Sequence, residues 1–204
     1  MLYKDIFKLF VDVFFAFIAL VILSPIMVLI TLVLVYSNNG KPFFTQLRPG
    51  KTEKPFLLIK FKTMNDKKND EGKLLPDKKR LTKIGRFIRT TSMDELPQLI
   101  NVFKGDMSLI GPRPLLIKYL DRYTSLQARR HEVKPGITGW AQINGRNAIS
   151  WEEKFKLDVW YVDHVSFKLD VLIFLKTIYK IFKREGISGQ GSVTMTEFLG
   201  SNKK

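Results

Sequence analysis

Two carboxylates, Asp94 and Glu95, stand side by side just ahead of Leu96-Pro97. Further charged groups sit where turns or element ends are predicted: Lys60, Lys62, Arg113, Arg146 and Asp170. Cations outnumber carboxylates in this set, and no Ser-His or Cys-His pair accompanies it. Such an inventory suits phosphoryl chemistry better than acyl transfer. A diphosphate needs cations around its oxygens, and an arginine fork fits phosphate bidentately. A carboxylate nearby can bind Mg2+ or attack phosphorus as an aspartyl nucleophile. An aspartate is ionised at pH 7 and needs no general base. Its obstacle is repulsion from the diphosphate, which the cations offset. The chain carries no Walker P-loop, no kinase-type glycine-rich loop and no Rossmann fingerprint, so a nucleotide would be held in another way.

The elements that position these groups follow from local patterns. Leu96, Leu99, Ile100 and Phe103 fall at i, i+3, i+4 and i+7, one face of a helix. Proline is tolerated only in the first turn, so this helix is predicted to start near Asp94 and to end at Gly105. That places both carboxylates at the positive end of a helix dipole. Gly111-Pro112-Arg113-Pro114 is a stiff turn that delivers Arg113. Residues 43–46 and 56–63 read as two short strands around a Pro49-Gly50 turn, with Lys60 and Lys62 on one face. Positions 65–80 read as a charged surface loop. Leu81, Ile84, Phe87 and Ile88 among Lys83, Arg86 and Arg89 predict a basic amphipathic helix suited to lipid headgroups. Positions 117–130, 151–164 and 169–183 are predicted helices. The stretch between the first two is a glycine-rich loop with Arg146 at its tip. Trp140 and Trp151 suit either the membrane interface or the core.

Composition narrows the setting. The 204 residues predict one domain, and the absence of cysteine removes disulfides and thiolate metal sites. Two histidines, His131 and His164, are too few for a histidine metal site. The net charge of +15 calls for a polyanion, whether nucleic acid, anionic membrane lipid or phosphorylated ligand. No nucleic-acid-binding motif accompanies the charge. The segment 13–36 decides the matter, because only Ser24 and Thr31 interrupt its apolar run. It is long enough for a bilayer core of about 30 Å and too long for a signal-peptide core. Ser24-Pro25 divides it into two arms of roughly 12 residues, each about 18 Å long. A kinked span and a re-entrant hairpin are both open. The basic flanks at both ends favour the hairpin, with both ends cytoplasmic. Ser24 is placed to serve the carbonyl that Pro25 orphans. The expected fold is α/β and mostly helical: a membrane hairpin at 1–37, a cytosolic or interfacial catalytic domain with a few short strands at 38–186, and a polar, mobile tail at 187–204.

Four blocks carry a resemblance: Ser24-Pro25, KFKTM at 60–64, DELPQLINVFKGDMSLIGPRP at 94–114 and KPGITGWAQINGR at 134–146. Through them nearly the whole chain resembles the bacterial sugar transferases, the monotopic phosphoglycosyl transferases, at the size of their catalytic core. The resemblance implies transfer of a sugar 1-phosphate from a UDP-sugar to undecaprenyl phosphate, with release of UMP. It implies a ping-pong course in which Asp94 is the nucleophile and Glu95 its partner, orienting either metal or acceptor. It also implies Mg2+ near Asp94, phosphate binding by Lys60, Arg113 and Arg146, and a further substrate-binding acid at Asp170. Lys62 stands where many members carry arginine. Ser24-Pro25 matches the break that makes the family's membrane helix re-entrant. The implied place is the cytoplasmic face of the bacterial inner membrane. A homodimer and downstream glycosyltransferases are further expected partners. By size the chain resembles the transferases that start protein glycosylation, with N,N'-diacetylbacillosamine as the expected sugar. The rival expectation is a non-catalytic scaffold of a glycosylation complex.

Overall fold

The computed structural model describes residues 3–145, 148–183 and 197–201. After a π-helical turn at Tyr3–Phe7, helix α1 (Lys8–Ser37) runs for 30 residues, about 45 Å. It continues through Ser24-Pro25, where a break was expected. Proline at position 25 has no N–H for the Val21 carbonyl, and the Ser24 hydroxyl donates to that oxygen at 2.8 Å. The lost backbone bond is thus replaced within the helix.

Both halves of α1 pack on the same body. Ala16, with Ala19, Leu20 and Leu23 beside it, meets Phe56, Leu58, Leu99, Val102 and Met107. Ile30 and Leu34 meet Phe61 and Ile88. Its two ends are also tied by polar bonds. Asp12 accepts from the Leu109 N–H at 3.1 Å, and the Asn38 side chain donates to the Lys62 carbonyl at 2.6 Å. The opposite face, including Phe14, Phe17, Ile22, Leu29 and Leu32, is apolar and exposed.

Strands β1 (Phe43–Pro49) and β2 (Pro55–Phe61) form an antiparallel hairpin with Phe44 opposite Lys60. A single helical turn, α2 (Asp77–Arg80), precedes α3 (Lys83–Thr90), which Thr82 caps by accepting from the Gly85 N–H. A 3-10 turn at Met93–Glu95 leads into α4 (Gln98–Phe103). The helix predicted from Asp94 therefore begins four residues later, because bonds such as Leu96 N–H to Met93 O close the tighter i→i−3 turn first. Gly105 ends it at φ +83°, as expected.

Strands β3 (Ser108–Ile110) and β4 (Gly136–Thr138) pair in parallel. The intervening helix expected at 117–130 is instead three pieces: a 3-10 stretch at Ile117–Arg122, α5 (Ser125–Ala128) and a 3-10 turn at Arg129–Glu132. Tyr123 is extended, and Thr124 with Gln127 builds a capping box that starts a new helix. Then follow α6 (Trp140–Ile143), α7 (Trp151–Asp163) and α8 (Phe167–Lys183). The segment 197–201 is not the mobile tail expected of it. Phe198 is buried against Tyr119, Tyr123, Trp151 and Phe155, and Glu197 pairs with Lys118 and Arg122.

Gly85 sets how closely α3 approaches the segment after β2. A Cβ there would lie 1.9 Å from the Thr63 carbonyl oxygen, which is backbone and cannot step aside. Gly85→Ala is expected to cost about 1–3 kcal/mol through this overpacking. A thermal melt in detergent micelles checks it, and an unchanged midpoint would refute the contact.

Candidate active site

The two carboxylates sit on a strained turn. Ser92 holds φ +57° and ψ 14°, a left-handed conformation that costs a non-glycine residue about 1 kcal/mol. Its N–H bonds to Arg89 O at 3.1 Å, and Glu95 N–H returns to Ser92 O at 3.2 Å. The turn faces Lys60 from β2 and Arg113 from the proline-flanked turn after β3. Glu95 Oε1 accepts from Lys60 Nζ at 2.8 Å and from Arg113 Nη2 at 2.6 Å. Burial disfavours the Glu95 charge, but the Arg113 and Lys60 cations outweigh it and hold the carboxyl well below the usual range.

Asp94 is placed differently. It is buried, at 8 % exposure, and among the described residues it has no hydrogen-bond or ion-pair partner. Burial and then the neighbouring Glu95 charge push its carboxyl up to about 6, against the pull of Lys60, Arg89 and Arg113. The dyad thus has two characters. Glu95 is a fixed anion that organises two cations, and Asp94 is a free, basic carboxylate beside them.

Arg89 is a residue that amphipathic periodicity assigned to lipid headgroups. The structure brings its charge to bear on Asp94, and its Nη1 is buried without a partner among the described residues. The signal available in sequence was its position five residues before Asp94, at the end of α3. Lys62 goes the other way: β2 ends at Phe61, and Lys62 pairs with Asp66. Asp170 lies at the start of α8 and is held from three sides. Its Oδ2 accepts from Lys8 Nζ at 2.5 Å and Tyr3 OH at 2.7 Å, and the Tyr161 hydroxyl lies 2.7 Å from Oδ1. Through Lys8 and Tyr3, Asp170 pins the start of α1 against α8, and it also lines the cleft between these helices. Arg146 lies outside the described residues. Trp140 stacks on Trp160 with ring centres 4.7 Å apart, and Trp151 joins the aromatic cluster around Phe198.

The donor set suits a divalent cation of the Mg2+ kind. Among the described residues no cluster of three or more metal-ligating side chains exists. Mg2+ is commonly held by one or two carboxylates with substrate phosphates completing its shell. The unpartnered Asp94 carboxylate meets that requirement, and Glu95 is engaged by its cations.

A cleft of about 720 Å3 opens beside the dyad, between α1 and α8. Phe15, Ile18 and Ile22 wall one side, and Val171, Phe174 and Ile178 the other. The lining is mostly apolar, with Glu95, Arg113, Asp12, Asp170 and Lys180 contributing charged groups.

Residues 3–184 match the family described as "Bacterial sugar transferase". The chain is 56 % identical over 202 residues to the sugar transferase EpsL of Bacillus subtilis (strain 168), covering 98 % of both chains. It is 37 % identical to the UDP-glucose:undecaprenyl-phosphate glucose-1-phosphate transferase of Klebsiella pneumoniae, over 87 % of this chain and 40 % of that one. It is 38 % identical to the UDP-N-acetylgalactosamine-undecaprenyl-phosphate N-acetylgalactosaminephosphotransferase of Aeromonas hydrophila, over 83 % of this chain and 42 % of that one. The chain therefore belongs to the bacterial sugar transferase family. It spans about two fifths of the length of the two relatives named for their substrates.

The two carboxylates are expected to affect stability in opposite directions. A carboxyl whose folded pKa is raised to about 6 destabilises the fold wherever the unfolded chain is ionised. That penalty is absent below about pH 4, grows between 4 and 6, and is complete above 6. Without divalent cation, Asp94→Asn should therefore raise the unfolding free energy at pH 7, by on the order of 3 kcal/mol. The gain should vanish near pH 4. Glu95→Gln should lower the midpoint at pH 7, because a depressed pKa contributes stability above the unfolded value and loses it as pH falls. Melts from pH 4 to 8 check both, and an Asp94→Asn effect of the same size at every pH would refute the assignment.

Proposed function

We propose that this chain is a phosphoglycosyl transferase moving a sugar 1-phosphate from a UDP-sugar to undecaprenyl phosphate, with release of UMP. One observation carries the reading: an unpartnered aspartate beside clamped cations, at the side of an apolar cleft walled by the membrane helix. An Asp94 oxygen attacks the β-phosphorus of the donor. The bond from that phosphorus to the bridging oxygen breaks, and UMP leaves. Lys60, Arg89 and Arg113 balance the charge of the donor oxygens, and Glu95 keeps two of those cations aimed. An oxygen of the polyprenyl phosphate then attacks the aspartyl phosphosugar. The bond to Asp94 breaks, and the free carboxylate returns. Mg2+ held by Asp94 and the donor phosphates supplies charge neutralisation when bound.

The cleft suits the acceptor. Its apolar walls from α1 and α8 match a prenyl tail, and Arg113 lies where the lipid phosphate is needed. Placement in one leaflet, on the cytoplasmic face, has support in how α1 packs. A helix tied to the same domain at Asp12, Ala16, Leu34 and Asn38 cannot cross a bilayer without taking that polar domain into lipid. The exposed apolar face of α1 and the exposed Ile84 and Phe87 of α3 are the surfaces for immersion.

UMP release in lipid nanodiscs tests the reading, with Mg2+, undecaprenyl phosphate and a panel of UDP-glucose, UDP-N-acetylgalactosamine and UDP-N,N'-diacetylbacillosamine. One sugar should support release in the wild type, and Asp94→Asn should lower it by at least about 1,000-fold. Trapping of a phosphosugar on the wild-type chain in the absence of acceptor would support the two-step course. Silence with every sugar from folded protein would overturn the assignment.

A further inference from the structure

Arg130 and Asp158 are the most deeply buried ion pair among the described residues, with side chains 1 % and 2 % exposed. Asp158 projects from α7, and Arg130 lies in the 3-10 turn after α5. Arg130 Nε and Nη2 reach Asp158 Oδ2 at 3.1 and 2.8 Å. The same Nη2 donates to the backbone carbonyl of Arg113 at 2.7 Å. A buried pair of this kind seldom adds net stability over a well-packed apolar pair. Its value lies in what it holds.

What it holds has few other handles. Pro112 and Pro114 flank Arg113 and carry no N–H. The turn is fixed on one side by Gly111 N–H to Thr138 O at 2.8 Å and Gly136 N–H to Pro112 O at 3.0 Å. Beyond Pro112, among the described residues, the Arg130 guanidinium is the side chain that hydrogen-bonds to the turn backbone, at the very residue whose side chain departs for Glu95.

We propose that Arg130, held by Asp158, is a positioning residue that fixes the Arg113 carbonyl and thereby aims the Arg113 guanidinium at Glu95 and the donor phosphate. It touches no substrate and acts through Arg113. The inference rests on the phosphoglycosyl transferase reading for its catalytic consequence and on the contact geometry alone for its structural one.

A double-mutant cycle tests the first. Arg130→Met is expected to lower kcat/KM for UMP release about 10–100-fold. In an Arg113→Ala background the same change should cost under about threefold, because the group it aims is gone. The loss of thermal stability from Arg130→Met should be equal in both backgrounds. Arg130→Lys, which keeps a buried cation beside Asp158, serves if Arg130→Met fails to fold, with the same pattern expected. Activity losses that multiply in the double variant would overturn the proposal, as would full activity in Arg130→Met. The second readout needs no turnover. Selectively 15N-labelled arginine should show a held Arg113 guanidinium in the wild type and an averaged one in Arg130→Lys. An unchanged Arg113 signal would overturn the positioning role. A wild type that releases no UMP yet shows the Arg113 change would sink the reaction and leave the geometry standing.

Discussion

The Glu95 carboxylate is the constraint on which the site depends. It draws together β2 through Lys60, the strained turn that it occupies itself, and the turn after β3 through Arg113. Two cations on one carboxylate leave an excess of positive charge, and Asp94 is added beside it. Two adjacent buried carboxylates resist joint ionisation. The cations resolve the conflict unevenly: they bind Glu95 and merely act at a distance on Asp94. The result is one carboxylate spent on structure and one left basic and, among the described residues, without a hydrogen-bond partner. A diphosphate entering this group meets cations already assembled, so little reorganisation accompanies its binding.

Helix α1 supplies a large part of the core, and its long apolar run is consistent with membrane association. Its inward face completes two hydrophobic clusters, and its outward face remains for lipid. Small residues let this happen on the inside: Ala16 and Ala19 bring the helix close to β2 and α4. The cleft beside the dyad lies between α1 and α8, which are joined by Lys8, Tyr3 and Asp170. Loss of α1 would expose the catalytic core as well as release the protein from the membrane.

Two buried ionic pairs frame the chemistry from opposite sides. Lys8 with Asp170 fixes the membrane helix to α8, and Arg130 with Asp158 fixes the turn that bears Arg113. Between them runs β3, whose backbone is tied to Asp12 at Leu109 and lies within 3.1 Å of the Tyr161 hydroxyl at Ile110. The active carboxylates are thereby referenced to the depth of the membrane helix.

Much of this was legible in the residues themselves. The apolar run, the proline at its middle and the serine that serves the orphaned carbonyl are local matters, decided within a few positions. So are the Gly105 stop, the β1–β2 hairpin and the proline-stiffened turn at Arg113. The chemical inventory was equally readable, because a phosphate site needs cations whatever the fold. Partnership was not readable. Lys60 meets Glu95 across 35 positions, and Arg130 meets Asp158 across 28. No periodicity reports contacts at such separations. Periodicity sent Arg89 to the lipid, and 117–130 read as a single helix. Tertiary packing brought the Arg89 charge to bear on Asp94 and divided 117–130 into three pieces. The sequence by itself therefore determined which groups are present and that one helix is long and apolar enough to cross a membrane. Only the tertiary structure decided which carboxylate is held and which is free.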